Sequence, residues 1–150
     1  MYQRILVPVD DSTTSAAAIR ESVRLALDQK AQVRLVHVID LAQFAWSANE
    51  FLDVPQLQDS LRKSGEQLLA RHAETLSAQN IAAETALLEA WGGNLAKAIV
   101  DDASAWQADV LVMGTHGYTG LTHLLLGSVA EGVMRHASVP VLLVRAPADA

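Results

Sequence analysis

Short apolar runs alternate along the chain with segments that repeat their hydrophobic residues at helical spacing. Most of these runs are rich in Val, Ile and Leu and lack polar alternation, which is typical of strands buried on both faces of a sheet. One run alternates weakly, between residues 81 and 90, and we expect that strand to be more exposed. The pattern predicts five strands, at Arg4 to Val9, Gln32 to Ile39, Ile81 to Ala90, Asp109 to Met113 and Val139 to Arg145.

The segments between these runs predict four helices. A cluster of helix-capping residues, 10–14, precedes the first helix, and a proline stands in the first turn of the second, where it is tolerated. The segment from Asp40 to Val54 is ambiguous, and its aromatic residues suggest a loop or short helix laid over the sheet. The predicted helices are Ser15 to Lys30, Pro55 to about Gln79, Leu95 to Trp106 and Ser128 to about Ala137.

A helical crossover separates each strand from the next, which is the connection that parallel strands require. We therefore predict an α/β fold, a single doubly wound, Rossmann-like parallel sheet with helices on both faces. Pro8 would interrupt a central ladder, so it is placed at the carboxyl end of the first strand. The chain of 150 residues is long enough for one domain, predicted over 1–145, and 146–150 is predicted to be a disordered tail.

Composition narrows the functional classes. The chain has no cysteine, which excludes disulfide scaffolds, thiolate zinc sites and cysteine nucleophiles. Its net charge of −6 argues against a nucleic-acid partner. No apolar stretch approaches the ~18 residues of a membrane helix, and the amino terminus has no signal-peptide pattern. We expect a cytoplasmic protein that is not embedded in a membrane.

Glycines concentrate directly after the fourth predicted strand. This strand-to-helix connection is longer than the ~2–6 residues usual in such folds, and long loops at the carboxyl ends of parallel strands are where these folds bind ligands. Gly114 and Gly117 can take positive φ and let main-chain N–H groups approach a ligand without obstruction by a Cβ. Five of the eight glycines fall in this region: Gly114, Gly117, Gly120, Gly127 and Gly132.

The helix after this loop begins with the pattern of a capping box. Ser128 is predicted to be the N-cap, with Glu131 three residues later reaching back to it. The start of a helix also offers spare N–H groups and the positive end of the helix dipole, which together favour an anion.

The spacing Gly114-x-x-Gly117, nine residues, then Gly127-Ser128 resembles the nucleotide-binding signature of the universal stress protein family. Three further segments are similar to that family: Val7-Pro8-Val9-Asp10, the second strand from Leu35 to Asp40, and the ending from Ser138 to Val144. The resemblance covers essentially the whole chain and implies a five-stranded sheet of order 3-2-1-4-5.

The resemblance also implies a site and a function. It implies an ATP-binding (or ADP- or AMP-binding) regulatory protein, with Mg²⁺ or Mn²⁺ accompanying the nucleotide. It implies a homodimer joined through Val139 to Val144, together with an unidentified protein partner. Carried over residue by residue, Asp10 and Val38 flank adenine and ribose, Pro8 and Val9 shape the pocket wall, and ribose and phosphates are held by Gly114, Thr115, His116, Gly117, Gly120, Gly127, Ser128 and Val129.

Two departures from the family pattern concern charge. No Lys or Arg occurs between Gly114 and Gly132, and Tyr118 stands where relatives often carry a basic residue. We therefore expect main-chain amides, hydroxyls and a divalent cation to hold the phosphates. Asp11 replaces a frequent glycine, and this extra carboxylate would either recruit Mg²⁺ or repel phosphate. Among the residues of the implied site, Asp10 is a possible ligand of that cation.

Other chemistries fit the sequence less well. The loop is not a Walker A motif, because no Gly-Lys-Ser/Thr follows it. We therefore expect a protein that is not an enzyme. The alternative is a slow metal-dependent ATP hydrolase or phosphotransferase, and a nucleotide-free dimerisation module is a third interpretation.

The histidines lack zinc-ligand spacing, and an RNA-clamping interpretation of the glycine loop conflicts with the negative charge. His37, inside an apolar strand, is interpreted as a hydrogen-bonded core residue.

The last predicted strand would be an apolar edge in this strand order. Such an edge invites pairing with another chain, and a two-fold related copy would cover it.

Overall fold

A computed structural model describes residues 1–41, 54–115 and 126–145. Its strands form one parallel sheet in the order β3-β2-β1-β4-β5, which confirms the predicted fold class. The strands are β1 (Arg4–Pro8), β2 (Gln32–Asp40), β3 (Ala83–Ala90), β4 (Val110–Gly114) and β5 (Val141–Val144). The described helices are α1 (Thr13–Gln29), α2 (Val54–Ser77), α3 (Leu95–Trp106) and α4 (Ser128–His136).

The sheet is covered on both faces, and successive residues of a central strand enter different cores. Ile5 and Val7 of β1 pack in the core beneath α1 and α2, whereas Leu6 packs in the core beneath α3 and α4. All three side chains are fully buried. Burying one such side chain stabilises the fold by roughly 1.5–3 kcal/mol, which explains the continuous apolar runs in the sequence.

Several element boundaries differ from the sequence prediction by one or two residues, and two of these differences have a local reason. β5 begins at Val141 rather than at residue 139, because Pro140 has no N–H to donate, although its carbonyl accepts from the Leu111 N–H (2.9 Å). α1 begins at Thr13, earlier than predicted, because the Ser12 hydroxyl caps the helix by accepting from the Ser15 N–H (3.1 Å). The predicted disordered tail lies outside the described residues, as does most of the ambiguous segment before α2.

A charged and aromatic cluster joins α3 to the amino ends of β1 and β2. Arg34 donates from Nε and Nη2 to the two carboxylate oxygens of Asp102 (2.8 and 2.9 Å), and this hydrogen bonding raises the pKa of the Arg34 guanidinium. Arg4 lies over the ring of Trp106, with 4.4 Å from Cζ to the ring centroid, and donates from Nε to the Trp106 carbonyl (2.9 Å). We call these four residues the amino-edge cluster.

None of the helices in the described ranges is long and apolar enough to cross a membrane.

Candidate functional site

The winding of the sheet reverses at β1. The chain proceeds from β1 to β2 on one side, and later returns to place β4 on the other. The carboxyl ends of β1 and β4 therefore diverge into their following segments, and in folds of this kind the resulting gap is where ligands bind. We call the gap the carboxyl-edge crevice; it is bordered by residues 8–12, the end of β2, residues 114–115 and residues 126–129.

Hydrogen bonds fix the first border, the loop from β1 to α1. The Asp10 N–H donates to Ser15 Oγ (2.9 Å), and Asp10 Oδ1 accepts from the Ser12 N–H (2.7 Å). Val9 is buried and its N–H donates to the Val36 carbonyl (2.8 Å). The loop therefore presents Asp10 half-buried at the crevice, with one carboxylate oxygen already engaged.

The second border is the main chain of β2. The Val33 N–H donates toward the β3 side, whereas the Val36 carbonyl accepts from β1, so the even-numbered residues of β2 direct their peptide groups toward β1. The β1–β2 register ends with Pro8 opposite Val36. Val38 consequently directs its N–H and C=O past the end of β1, while its side chain packs in the core beneath α3 and α4.

Gly114 is needed for close packing and does not use the positive φ that glycine allows. Among the glycines within the described ranges, only Gly92 and Gly93 have positive φ. A Cβ built on Gly114 would lie 2.6 Å from Thr14 Oγ1 and 2.8 Å from the Thr14 carbonyl carbon. The absent side chain lets the first turn of α1 approach the end of β4, which brings two borders of the crevice together.

Gly114→Ala is therefore expected to lower the free energy of unfolding by roughly 1–3 kcal/mol, the usual cost of overpacking. Because the Thr14 backbone is among the atoms approached, repacking of side chains alone cannot relieve the overlap. Urea unfolding followed by circular dichroism measures the effect, and a midpoint equal to that of the unsubstituted protein would contradict this role for Gly114.

Two main-chain hydrogen bonds at Thr115 bring the start of α4 to the crevice. The Thr115 N–H donates to the Val144 carbonyl of β5 (3.1 Å), and the Thr115 carbonyl accepts from the Gly127 N–H (2.8 Å). Residues 115 and 127 are thereby held next to each other at the end of β4.

Gly127, not Ser128, is the N-cap of α4, so the predicted capping box is wrong. The Gly127 carbonyl accepts the first helical hydrogen bond, from the Glu131 N–H (2.9 Å), and the Glu131 carboxylate pairs with Arg135 (2.9 Å). Ser128 is the first helical residue and is exposed. Its N–H and that of Val129 belong to the helical turn that has no acceptors within the helix, at the positive end of the dipole.

The structure places the described site residues at the carboxyl end of the sheet. Pro8, Val9 and Asp10 lie at the end of β1, next to Val38 of β2. Gly114 and Thr115 lie at the end of β4, where Thr115 is hydrogen-bonded to Gly127 at the start of α4, and Ser128 and Val129 follow. His116, Gly117 and Gly120 lie outside the described residues.

A basic residue that sequence reasoning missed lies beside this crevice. Arg71 of α2 pairs with Asp11 (3.4 Å), and both side chains are more than half exposed. The two are 60 positions apart, so no local pattern signals the contact. Burial and the Arg71 charge lower the pKa of the neighbouring His72, and the Asp11 charge opposes them. Asp11 is thus partly neutralised by an arginine from another element.

The described residues contain no group of three or more His, Cys, Asp or Glu side chains that could hold a metal ion. His37 is half-buried and its Nδ1 bonds to the Val9 carbonyl (2.8 Å), which agrees with its interpretation as a hydrogen-bonded residue within the fold.

A parallel sheet of order 3-2-1-4-5, with a crevice where the winding reverses, defines a doubly wound α/β protein of the Rossmann-like class. The sequence profile of the universal stress protein family matches residues 1–145. The chain belongs to the universal stress protein family.

Individual relatives support this assignment. The universal stress protein MJ0531 of Methanocaldococcus jannaschii is 33% identical over 147 residues, covering 98% of this chain and 84% of its own. The solved structure of protein MJ0577 superposes with a TM-score of 0.83 at 29% identity, covering 97% of this chain and 96% of that one.

Two more distant structures contain nucleotides. A universal stress protein in complex with cAMP has a TM-score of 0.68 at 22% identity, covering 97% of this chain and 98% of that one. One from Archaeoglobus fulgidus in complex with dAMP has a TM-score of 0.63 at 22% identity, covering 95% and 98%.

Proposed function

We propose that this protein binds an adenine nucleotide, ATP or else ADP or AMP, in the carboxyl-edge crevice. We further propose that it acts in the cytoplasm as a regulatory protein rather than an enzyme, with occupancy of the site changing how it engages a protein partner. The observation that carries the proposal is the position of the start of α4, which the hydrogen bond between Gly127 and Thr115 holds at the end of β4, where Gly114 packs against Thr14 after the Asp10 loop. The cAMP and dAMP complexes of proteins with this fold support the same ligand class.

The phosphate end of the ligand is assigned to the start of α4. The N–H groups of Ser128 and Val129, with the exposed Ser128 hydroxyl, supply donors that require no lysine or arginine. The loop residues Thr115, His116, Gly117 and Gly120 are assigned to the same end. Hydrogen bonds to a charged group contribute roughly 1.5–3 kcal/mol each, so four or five of them, after ordering costs, suffice for micromolar binding, about −8 kcal/mol.

The base end is assigned to β1 and β2. The Val38 peptide group offers one donor and one acceptor side by side, which suits the hydrogen-bonding edge of a base. Pro8 and Val9 form the wall beside it, and the second carboxylate oxygen of Asp10 remains for ribose or for a cation. A single half-buried carboxylate fits Mg²⁺ or Mn²⁺ only as one ligand among phosphate oxygens and water, so the cation is proposed to arrive with the nucleotide.

Native mass spectrometry of the purified protein, followed by calorimetric titration, tests the proposal. We expect an adenine nucleotide to co-purify and ATP to bind with a micromolar Kd. Titrations with GTP and with inorganic tripolyphosphate separate recognition of the base from recognition of the phosphates. Absence of both a co-purified nucleotide and a binding signal at millimolar ATP would rule the proposal out.

The alternative, slow metal-dependent hydrolysis or phosphotransfer, would depend on Asp10 and Asp11. Both carboxylates have partners that reduce their availability as bases, since Asp10 accepts from Ser12 and Asp11 pairs with Arg71. Measuring phosphate release in a single turnover, with Mg²⁺ or Mn²⁺, distinguishes this alternative from binding alone.

The edge of the sheet supports a homodimer. Among the described strands, β5 pairs with β4 alone, and Leu142 of β5 is 40% exposed. A second copy paired along the free side would cover this apolar edge and satisfy its peptide groups. We assign residues 139–144 to that interface.

Val141→Lys is expected to yield monomers or aggregates, because it places a charge in the proposed interface. Light scattering measures the mass in solution. The matched control is Thr85→Lys on β3, the opposite edge, which should leave the dimer intact. A Val141→Lys protein with an unchanged dimer mass would contradict the assignment.

A further inference from the structure

At the point where β1 leaves the sheet, a side chain replaces a main-chain donor. The Val9 N–H donates to the Val36 carbonyl (2.8 Å), as a parallel ladder requires. In a continuing ladder the Val9 carbonyl would accept from the N–H of Val38, two residues further along β2. Instead it lies 2.8 Å from His37 Nδ1. Because a carbonyl only accepts, Nδ1 carries the proton and the imidazole is the donor.

The fold holds the imidazole in place for this contact. The His37 side chain lies on the α2 face of the sheet, where it meets Gly65. A Cβ at position 65 would lie 2.9 Å from His37 Cδ2 and 2.6 Å from Leu87 Cδ1. The missing side chain of Gly65 therefore leaves the room that the ring occupies while its Nδ1 contacts the Val9 carbonyl.

We propose that His37 is a positioning residue that ends the β1–β2 ladder and keeps the Val38 N–H available to the base of a bound nucleoside. This inference rests on the proposed function. Without the imidazole donor, the Val9 carbonyl would accept from Val38, and the ladder would lengthen by one hydrogen bond. The Val38 N–H would then be occupied, and the Val9–Asp10 peptide would move toward β2.

Loss of the His37 donor affects the contacts with the nucleoside part of the ligand and not those with the phosphates. This loss should therefore weaken the binding of adenosine, AMP and ATP by the same factor. One hydrogen bond to a neutral group and the accompanying shift of Asp10 correspond to roughly a tenfold loss of affinity, about 1.4 kcal/mol. Binding of inorganic tripolyphosphate, which has no base, should not change.

The test compares His37→Leu with His37→Asn in the full chain. Leu removes the donor, whereas the Asn side-chain amide can place an N–H near the position of Nδ1. We expect about tenfold weaker adenosine, AMP and ATP binding for His37→Leu, and recovery of most of the affinity for His37→Asn. Hydrogen exchange of the Val38 amide, measured by NMR without ligand, should slow in His37→Leu only. Urea unfolding verifies that both variants are folded.

The outcomes separate this inference from the function on which it rests. If the unsubstituted protein binds no nucleotide, the proposed function fails, and the inference fails with it. If that protein binds while His37→Leu keeps full affinity and fast Val38 exchange, nucleotide binding stands and the role of His37 is refuted. Equal losses for Leu and Asn, with no change at the Val38 amide, would also refute it, because they would indicate a merely structural histidine.

Discussion

A Gly127→Asp variant should lose at least ~100-fold of its ATP affinity while keeping its fold. Gly127 has φ −64° and ψ 152°, an ordinary extended conformation that aspartate adopts without strain. Aspartate is also a preferred N-cap, so its carboxylate would accept from the N–H of Val129 or Ala130 and would lie where we place the phosphate. Loss of one charge-assisted hydrogen bond, at roughly 1.5–3 kcal/mol, together with repulsion between the carboxylate and the phosphate, gives the expected factor.

Two companion variants separate the causes of that loss. In Gly127→Asn the side-chain oxygen can accept from the same N–H without adding a charge. The asparagine variant should therefore lose less ATP affinity than the aspartate variant does. Ser128→Ala removes one hydroxyl and should cost roughly 1–2 kcal/mol of binding. Calorimetry gives the affinities, and thermal unfolding should show Gly127→Asp at least as stable as the parent, because its helix gains a cap. Full ATP affinity in Gly127→Asp would remove the start of α4 from the site.

Asp102→Ala should lower the free energy of unfolding by about 3 kcal/mol. The Asp102 side chain is 11% exposed and that of Arg34 is 19% exposed, so removing the carboxylate leaves a largely buried guanidinium without its main partner. Breaking one side of a buried ion pair costs roughly 3–5 kcal/mol, and the residual exposure places this pair at the lower end. Chemical denaturation measures the change, and ATP affinity of the folded variant should be unaltered.

The neighbouring residue provides a matched control. Asp101 pairs with Lys97, but both side chains are more than 60% exposed, so Asp101→Ala should change stability by less than ~1 kcal/mol. In the double variant Arg34→Met with Asp102→Leu, the buried ion pair is gone and only the half-exposed Glu84 carboxylate, 3.6 Å from Arg34 in the parent, loses a partner. Most of the lost stability should therefore return. Equal effects of Asp101→Ala and Asp102→Ala would show that burial does not determine the strength of the Asp102 pair.

The sequence predicts the elements of this fold well because each signal is local. Strand runs, helical spacing and the position of Pro8 depend on neighbouring residues, and the strand order follows from the family resemblance. The sequence does not identify Gly127 as the N-cap of α4. The N–H of Gly127 donates to the Thr115 carbonyl, which another part of the fold contributes. The Ser-x-x-Glu pattern alone does not distinguish Ser128 as a cap from Ser128 as the first helical residue.

The sequence also fails to predict several contacts at the candidate site, because their partners lie far apart along the chain. The packing of Gly114 against Thr14 joins residues 100 positions apart in the chain numbering. The pairing of Arg71 with Asp11 spans 60 positions. The sequence predicts that His37 is hydrogen-bonded but not which group accepts its proton. The acceptor is the Val9 carbonyl, which is brought to His37 by the register of β1 and β2. Such contacts belong to the tertiary fold and have no signature along the chain.

The amino-edge cluster lies at the end of the strands opposite the carboxyl-edge crevice. Substitutions in this cluster are therefore expected to change the stability of the domain without touching the residues that we assign to the nucleotide. Stabilising substitutions around Arg34 and Asp102 can thus be combined with variants of the proposed site, because the two sets of residues lie at opposite ends of the strands.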